Sequence, residues 1–252
     1  MKSLSILTPC LNPDKKKFMD LAKSIASQSN LNFEWLLLDG GSNHKLKKFI
    51  VEYCLKLNLD IIFIELPCSS IYSALNYGIS RCKYEYYLTM GCDDKLDKNA
   101  FRNLHNYLKQ DTDLLIVNVK KGSKIIRFDE NCPKFINFFG ATKLITNHSV
   151  GCIISKSMHN DLGFYNISYK YLADTDFLIK AYLKKYNFKY LNFIMGEVGH
   201  NGITSRRRLD CIVEHYKIMK ELKPKYFFDE ILLILRILKI KFKILLEAIK
   251  KK

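Results

Sequence analysis

The sequence has no Cys-x-x-Cys pair among its 8 cysteines, so neither a zinc ribbon nor a dithiol redox motif is written in it. It has no G-x-G-x-x-G after its first apolar run and no G-x-x-x-x-G-K-[ST]. The two glycine loops that most often hold nucleotide phosphates are therefore excluded. Met1-Lys2-Ser3-Leu4 leads straight into a strand-like run with no secretory apolar region, and a reducing, cytosolic location is expected. In the C-terminal part the longest apolar run, Ile231–Leu235, is far short of the roughly 20 residues a bilayer span needs.

What the chain does have is length, positive charge and a repeating rhythm. Its 252 residues suffice for one α/β domain with an appendage. The net charge of +16 is uneven: residues 206–252 carry 14 Lys and Arg against 6 Asp and Glu. A basic segment of this kind suits anionic lipid as well as a phosphate backbone. No nucleic-acid module accompanies it, so nucleic acid is not the expected partner. Phe227, Ile231, Ile234, Leu238, Phe242, Leu245 and Ile249 recur every three or four residues among lysines and Arg236. That spacing predicts an amphipathic helix lying in a membrane interface or packed on another protein surface.

Taken in order, Ser3–Thr8 reads as a strand ending at Pro9, and 16–27 as a helix. Phe33–Leu38 is a second strand ending in Asp39-Gly40-Gly41-Ser42, followed by a helix with an apolar stripe of Leu46, Phe49, Ile50, Tyr53 and Leu57. A strand over 61–66, a helix over 71–81 and a strand over 86–90 continue the alternation. Strands separated by helices imply a mostly parallel central sheet flanked by helices, with right-handed crossovers.

The fourth strand ends in Gly91-Cys92-Asp93-Asp94. Ligands in open α/β sheets bind beyond the carboxyl ends of the strands, where two carboxylates offer hard oxygens to a divalent cation holding a diphosphate. A solvated turn, or a cap for a helix over 98–108, reads equally well from these residues alone. In the second half, 113–119 and 150–155 read as strands, and Phe135, Ile136, Phe138 and Phe139 as core or acceptor-site lining. Asp174 and Asp176 open an apolar helix; two residues apart, they point different ways, so one can cap while the other faces a site.

Thr8-Pro9-Cys10-Leu11-Asn12, Phe33–Ser42, Ile71-Tyr72-Ser73-Ala74-Leu75-Asn76-Tyr77-Gly78, Gly91–Asp94 and Ala173-Asp174-Thr175-Asp176-Phe177-Leu178 occur in this order. Together they resemble the motifs of family-2 inverting glycosyltransferases of GT-A fold, and most of all the bacterial surface-polysaccharide enzymes. The resemblance covers residues 1–205. It implies a nucleotide-sugar transferase domain there, and the basic amphipathic composition of 206–252 makes that segment the expected membrane-associating tail at the inner face of the cell membrane. It implies that Asp39 meets the nucleotide base in a pocket shaped by Thr8, Pro9 and Asn12, and that Asp93 meets the ribose. Asp94 would bind Mg²⁺ or Mn²⁺, and Asp174 would be the catalytic base. Gly40, Asn76, His148, Asp176 and His200 are candidate donor or acceptor contacts, and Gly202 a hinge in a closing loop. The expected partners are a nucleotide sugar, UDP-linked by preference, and a glycan or glycolipid acceptor.

The match has gaps. Leu66, Cys68, Ser70 and Ser73 stand where the subgroup has two acids, a glycine and a further Asp. An altered donor specificity is expected, because the metal and base positions are intact. The alternative is a non-catalytic nucleotide-sugar-binding protein of the same fold.

Overall fold

The computed structural model describes residues 3–29, 31–67, 70–108, 112–127, 148–199 and 207–222, together with 234–235 and 237–238. Cys68, the aromatics at 135–139, His200, Gly202 and most of the tail lie outside these residues.

Four strands open the chain: β1 (Ser3–Cys10), β2 (Asn32–Asp39), β3 (Ile62–Glu65) and β4 (Tyr86–Thr89), alternating with helices α1 (Lys15–Ala26), α2 (His44–Lys56) and α3 (Ile71–Arg81). They pair in the order β3-β2-β1-β4, all parallel, as the alternation predicts. The second half is mixed rather than parallel. After β5 (Lys95–Leu96) and α4 (Ala100–Leu104) come β6 (Leu114–Lys121), β7 (Lys124–Ile126), β8 (Cys152–Ser155), α5 (Met158–Leu162), α6 (Ala173–Leu183), β9 (Phe188–Glu197) and α7 (Arg208–Leu222). β8 inserts antiparallel between β4 and β6, while β9 returns parallel to β6 through α6. The helix expected over 98–108 is only the short α4, preceded by the two-residue β5, whose Lys95 and Leu96 leave the Asp93-Asp94 turn antiparallel to the end of β9.

The central strands are apolar on both faces because helices cover both. On β1 and β2, Leu4, Ile6, Trp35 and Leu37 face α1 and α2, whereas Leu7, Leu36 and Leu38 face α3 and α6. Phe18 of α1 stacks on Trp35 at 5.9 Å. The Trp35 indole, fully buried, donates to the Thr8 hydroxyl at 2.9 Å. α2 buries Leu46 and Ile50, with Phe49, Tyr53 and Leu57 packed at the margin, so the predicted stripe is the one that faces the core.

Each of the first three helices starts with a side-chain cap: Asp14 accepts from the Lys17 amide, Asn43 from Leu46 and Ser70 from Ser73. Ser70, a departure from the motif, thus begins α3. At Gly78 of α3 a Cβ would sit 2.8 Å from Leu38 Cδ1, and the missing side chain lets the helix lie close on β2. On the same face, Tyr87 bonds His159 Nε2 at 2.8 Å and Tyr165 Oη at 2.9 Å, and burial holds His159 down to about 4. Ile218 and Met219 of α7 are buried in this second core. Residues 208–222, assigned by composition to the tail, are thereby part of the folded body.

Candidate active site

The parallel strands β1, β2 and β4 deliver their carboxyl ends to one edge of the sheet, and the polar groups of that edge form a chain of contacts. At the β2 end, Asp39 is fully buried. Its carboxylate accepts from the amides of Gly41 and Ser42 at 3.2 and 2.9 Å, and lies 3.7 Å from the Cys10 thiol. Lys47 reaches Asp39 at 3.7 Å and Glu65, at the end of β3, at 2.7 Å. Asp39 therefore holds the 40–42 turn. Against that turn sits Asn12, in the left-handed region at φ 44: its amide donates to the Ser42 hydroxyl, and its side-chain oxygen accepts from the Asn43 amide.

Pro9 and Cys10 carry the chain across to β4. The Cys10 thiol donates to Asp39, and the Cys92 thiol donates to the Pro9 carbonyl at 3.7 Å. The two acids follow, and they differ. Asp93 is partly exposed and pairs with Lys17 of α1 at 3.7 Å. Asp94 is only 1% exposed, and its two oxygens accept from the amides of Gly91 at 2.6 Å and Gly199 at 2.8 Å. Gly199 lies two residues past β9, and a Cβ there would sit 2.1 Å from the Asp93 carboxyl carbon. A side chain there would displace the Asp93 carboxylate.

The site closes from the other side. Burial pushes the Asp94 carboxyl above its usual range, and the nearby His148 charge opposes the shift. Asp174, in the first turn of α6, is likewise pushed up by burial and drawn back by the Tyr72 hydroxyl, the Thr175 amide and the same His148. His148 precedes the 3₁₀ turn Ser149–Gly151 and bonds the Ser149 hydroxyl at 3.3 Å. It therefore lies in the field of both acids. Tyr72 donates to Asp174 at 2.9 Å.

Not every expected contact faces this edge. The Thr8 side chain is fully buried and committed to Trp35. Asn76 uses both ends of its amide on the Tyr165 backbone, at 2.8 and 2.9 Å, which joins α3 to the loop ahead of α6. Asp176, 3% exposed, pairs with Lys180 at 2.6 Å on its own helix. Neither Asp174 nor Asp176 caps α6: the cap position is Leu172, which makes no side-chain cap bond. Gly40 donates its amide to Cys10 and sits over the turn. Tyr72, Lys17, Lys47 and Gly199 join the site without having been singled out by sequence, although Tyr72 lies inside a quoted motif.

The donor set suits a small hard cation. Among the described residues no three His, Cys, Asp or Glu side chains gather to cage a metal. Mg²⁺ rarely uses such a cage, taking one or two carboxylates plus substrate phosphates. Each Asp94 oxygen accepts one amide where a carboxylate has about four acceptor sites in all, and the buried carboxylate lacks a full counter-charge. Asp94 would hold Mg²⁺ or Mn²⁺ jointly with a diphosphate.

The sequence profile described as Glycosyl transferase family 2 matches residues 5–209. No curated protein sequence matches the chain significantly. Among solved structures, S. aureus TarS 1-349 in complex with UDP-GlcNAc superposes with a TM-score of 0.66 at 20% identity, covering 94% of this chain and 67% of that one. Against a longer S. aureus TarS chain the covered share is 39% of its length. The mannosyltransferase PcManGT from Pyrobaculum calidifontis, in complex with GDP-Man and Mn²⁺, gives a TM-score of 0.64 at 13% identity over 85% of this chain and 63% of that one. Glucosyl-3-phosphoglycerate synthase from Mycobacterium tuberculosis, with Mn²⁺ and UDP, gives 0.61 at 11% over 87% and 79%. At these identities the likeness is one of fold.

Proposed function

Because the chain belongs to glycosyl transferase family 2, we propose that it transfers a sugar from a UDP-sugar to a hydroxyl of a glycan or glycolipid acceptor, with inversion at the anomeric carbon. The observation that carries this reading is the buried Asp94 carboxylate at the carboxyl end of β4, held by the Gly91 and Gly199 amides, in a chain whose residues 5–209 match the family.

In the proposed reaction the base of the nucleotide lies against the Asn12–Ser42 turn, which Asp39 keeps rigid, and Asp93 meets the ribose. Bound at Asp94, Mg²⁺ or Mn²⁺ supplies Lewis-acid stabilisation to the departing diphosphate. Asp174 takes the proton of the acceptor hydroxyl as its oxygen bonds the anomeric carbon and the carbon–oxygen bond to the diphosphate breaks. A carboxyl raised towards the working pH is the better general base, and burial raises Asp174 in that direction. Tyr72 keeps it aimed.

The acceptor we propose is lipid-linked surface polysaccharide, with the basic C-terminal segment against the anionic inner leaflet of the membrane. Ile234, Leu235 and Leu238 are each 56% exposed, which supports a surface contact. Among the described residues no helix is long and apolar enough to cross a membrane. Binding of the full chain to anionic liposomes, lost on deleting residues 226–252, tests this part.

The central test is turnover of a nucleotide-sugar panel with Mn²⁺, read as release of nucleoside diphosphate. Release from one donor, absent in Asp174→Asn, supports the reading. UDP binding without release from any donor, with plausible acceptors present, would replace it with a non-catalytic binding protein.

A further inference from the structure

The segment that feeds α6 is held by a residue from outside the motifs. Glu214 of α7 accepts three consecutive backbone amides: Lys170 at 2.7 Å on one oxygen, and Tyr171 and Leu172 at 2.8 Å each on the other. Successive amides converging on one carboxylate make an anion nest, and charge-assisted bonds of this length are among the stronger ones. The cap position of α6, Leu172, has no side chain able to cap. Glu214 does that duty from another helix, with its negative charge at the positive end of α6. Tyr169, just ahead, is tied to the same helix through Glu221 at 2.6 Å.

This anchoring reaches the proposed base by a short route. The Tyr171 carbonyl, on a residue Glu214 holds, accepts from the Tyr72 hydroxyl at 2.8 Å. The same hydroxyl lies 2.9 Å from Asp174 Oδ1. Tyr72 has one proton to give, so the position of the Tyr171 carbonyl decides how much of it Asp174 receives. α7 also packs against α6 itself.

We propose that Glu214 is a positioning residue for Asp174, acting through the 170–172 amides, the Tyr171 carbonyl and the Tyr72 hydroxyl. This rests on the reading of Asp174 as base. It also makes α7 a working part of the catalytic site rather than the start of a tail.

The test uses the full-length protein with Glu214→Gln, Glu214→Asp, Tyr72→Phe, the double variant Glu214→Gln/Tyr72→Phe, and Asp174→Asn. Glu214→Gln keeps the shape and turns an NH₂ group against the amides. Its kcat for UDP-sugar turnover is expected to fall about 10- to 100-fold, the scale set by a misplacement near 1 Å, with UDP affinity by calorimetry unchanged. Glu214→Asp should recover part of that loss. If the route through Tyr72 is right, the double variant loses little more than the worse single one, as expected for residues in one network. Hydrogen exchange gives a readout free of activity: in Glu214→Gln, faster exchange should be confined to residues 169–176, with 74–79 unaffected. Multiplying losses in the double variant, or a uniform rise in exchange across the chain, overturns the proposal and leaves Glu214 a stability residue. Full turnover in Glu214→Gln with Asp174→Asn inactive overturns the positioning role alone. Full turnover in Asp174→Asn removes the base assignment and this role with it.

Discussion

Gly199 and Asp94, 105 positions apart, are joined by an amide-to-carboxylate bond of 2.8 Å, and the absent side chain of Gly199 is what lets the end of β9 settle on Asp93. The two acids of the β4 turn are thus clamped by the far end of the sheet. In Gly199→Ala the new Cβ would fall 2.1 Å from the Asp93 carboxyl carbon. UDP affinity by calorimetry is expected to drop about tenfold or more, the equivalent of roughly 1.4 kcal/mol. Gly163→Ala is the contrast. It has φ 77 with nothing within 4 Å of its Cβ position, so that variant should lose about 1–3 kcal/mol of stability through backbone strain and keep its UDP affinity.

Asp94→Asn tests two duties of one carboxylate. The amide has only one oxygen to offer the Gly91 and Gly199 amides, and leaving one of them unpaired in a buried site costs about 1–3 kcal/mol. The melting temperature should fall for that reason with or without metal. Mn²⁺-dependent turnover should fall much further, by about 10²-fold or more, as for loss of a group that stabilises transition-state charge. A variant that melts early but turns over normally with Mn²⁺ would leave Asp94 a structural residue only.

Tyr72→Phe carries a pH signature. Asp174 must be ionised to accept a proton, and burial already raises it, so activity is lost as pH falls through a point above the ordinary carboxylate range. The Tyr72 hydroxyl is the foremost influence pulling that point back down. Without it, the acid limb of the kcat profile should move to higher pH. Stability has the opposite sign: the folded state prefers protonated Asp174, so its contribution is full below the unfolded pKa and is lost as pH rises through the raised one. Asp174→Asn should remove that decline from a series of melting curves. An acid limb that does not move in Tyr72→Phe would mean that Asp174 is not the titrating base.

The sequence made much of this legible, and the failures share a cause. Asp93 and Asp94 could be found because an apolar strand runs straight into them, and strand ends of this kind adjoin in a parallel sheet. Capping by Asp14, Asn43 and Ser70 is local, within three residues of each donor amide. Asn76 became a candidate contact through the family-like motif it sits in; its amide is spent on the Tyr165 backbone, 89 positions away. Asp176 was open to either reading until Lys180 and the packing of α6 showed which way it turns. Glu214 left no trace in spacing or composition, since its three acceptor bonds cross 42 to 44 positions to backbone groups that any sequence would supply.

Thr8→Val follows from the same comparison. The hydroxyl is the partner of the buried Trp35 indole. Its loss should cost about 1–3 kcal/mol in chemical denaturation, the penalty for an orphaned buried donor, with UDP affinity unchanged. Weaker UDP binding at unchanged stability would instead put Thr8 in the nucleotide pocket.

The alternation of β2 between the two cores has a consequence for how such a chain can change. Trp35 and Leu37 belong to one face, Leu36 and Leu38 to the other, and Asp39 arrives at the rim in the same count. Parity is therefore shared by the interior and the chemistry. A one-residue insertion within Trp35–Asp39 would exchange the two cores and turn the Asp39 carboxylate to the wrong side of the sheet at once. Length variation is therefore confined to the connections. The strand that aims Asp39 stays fixed in length.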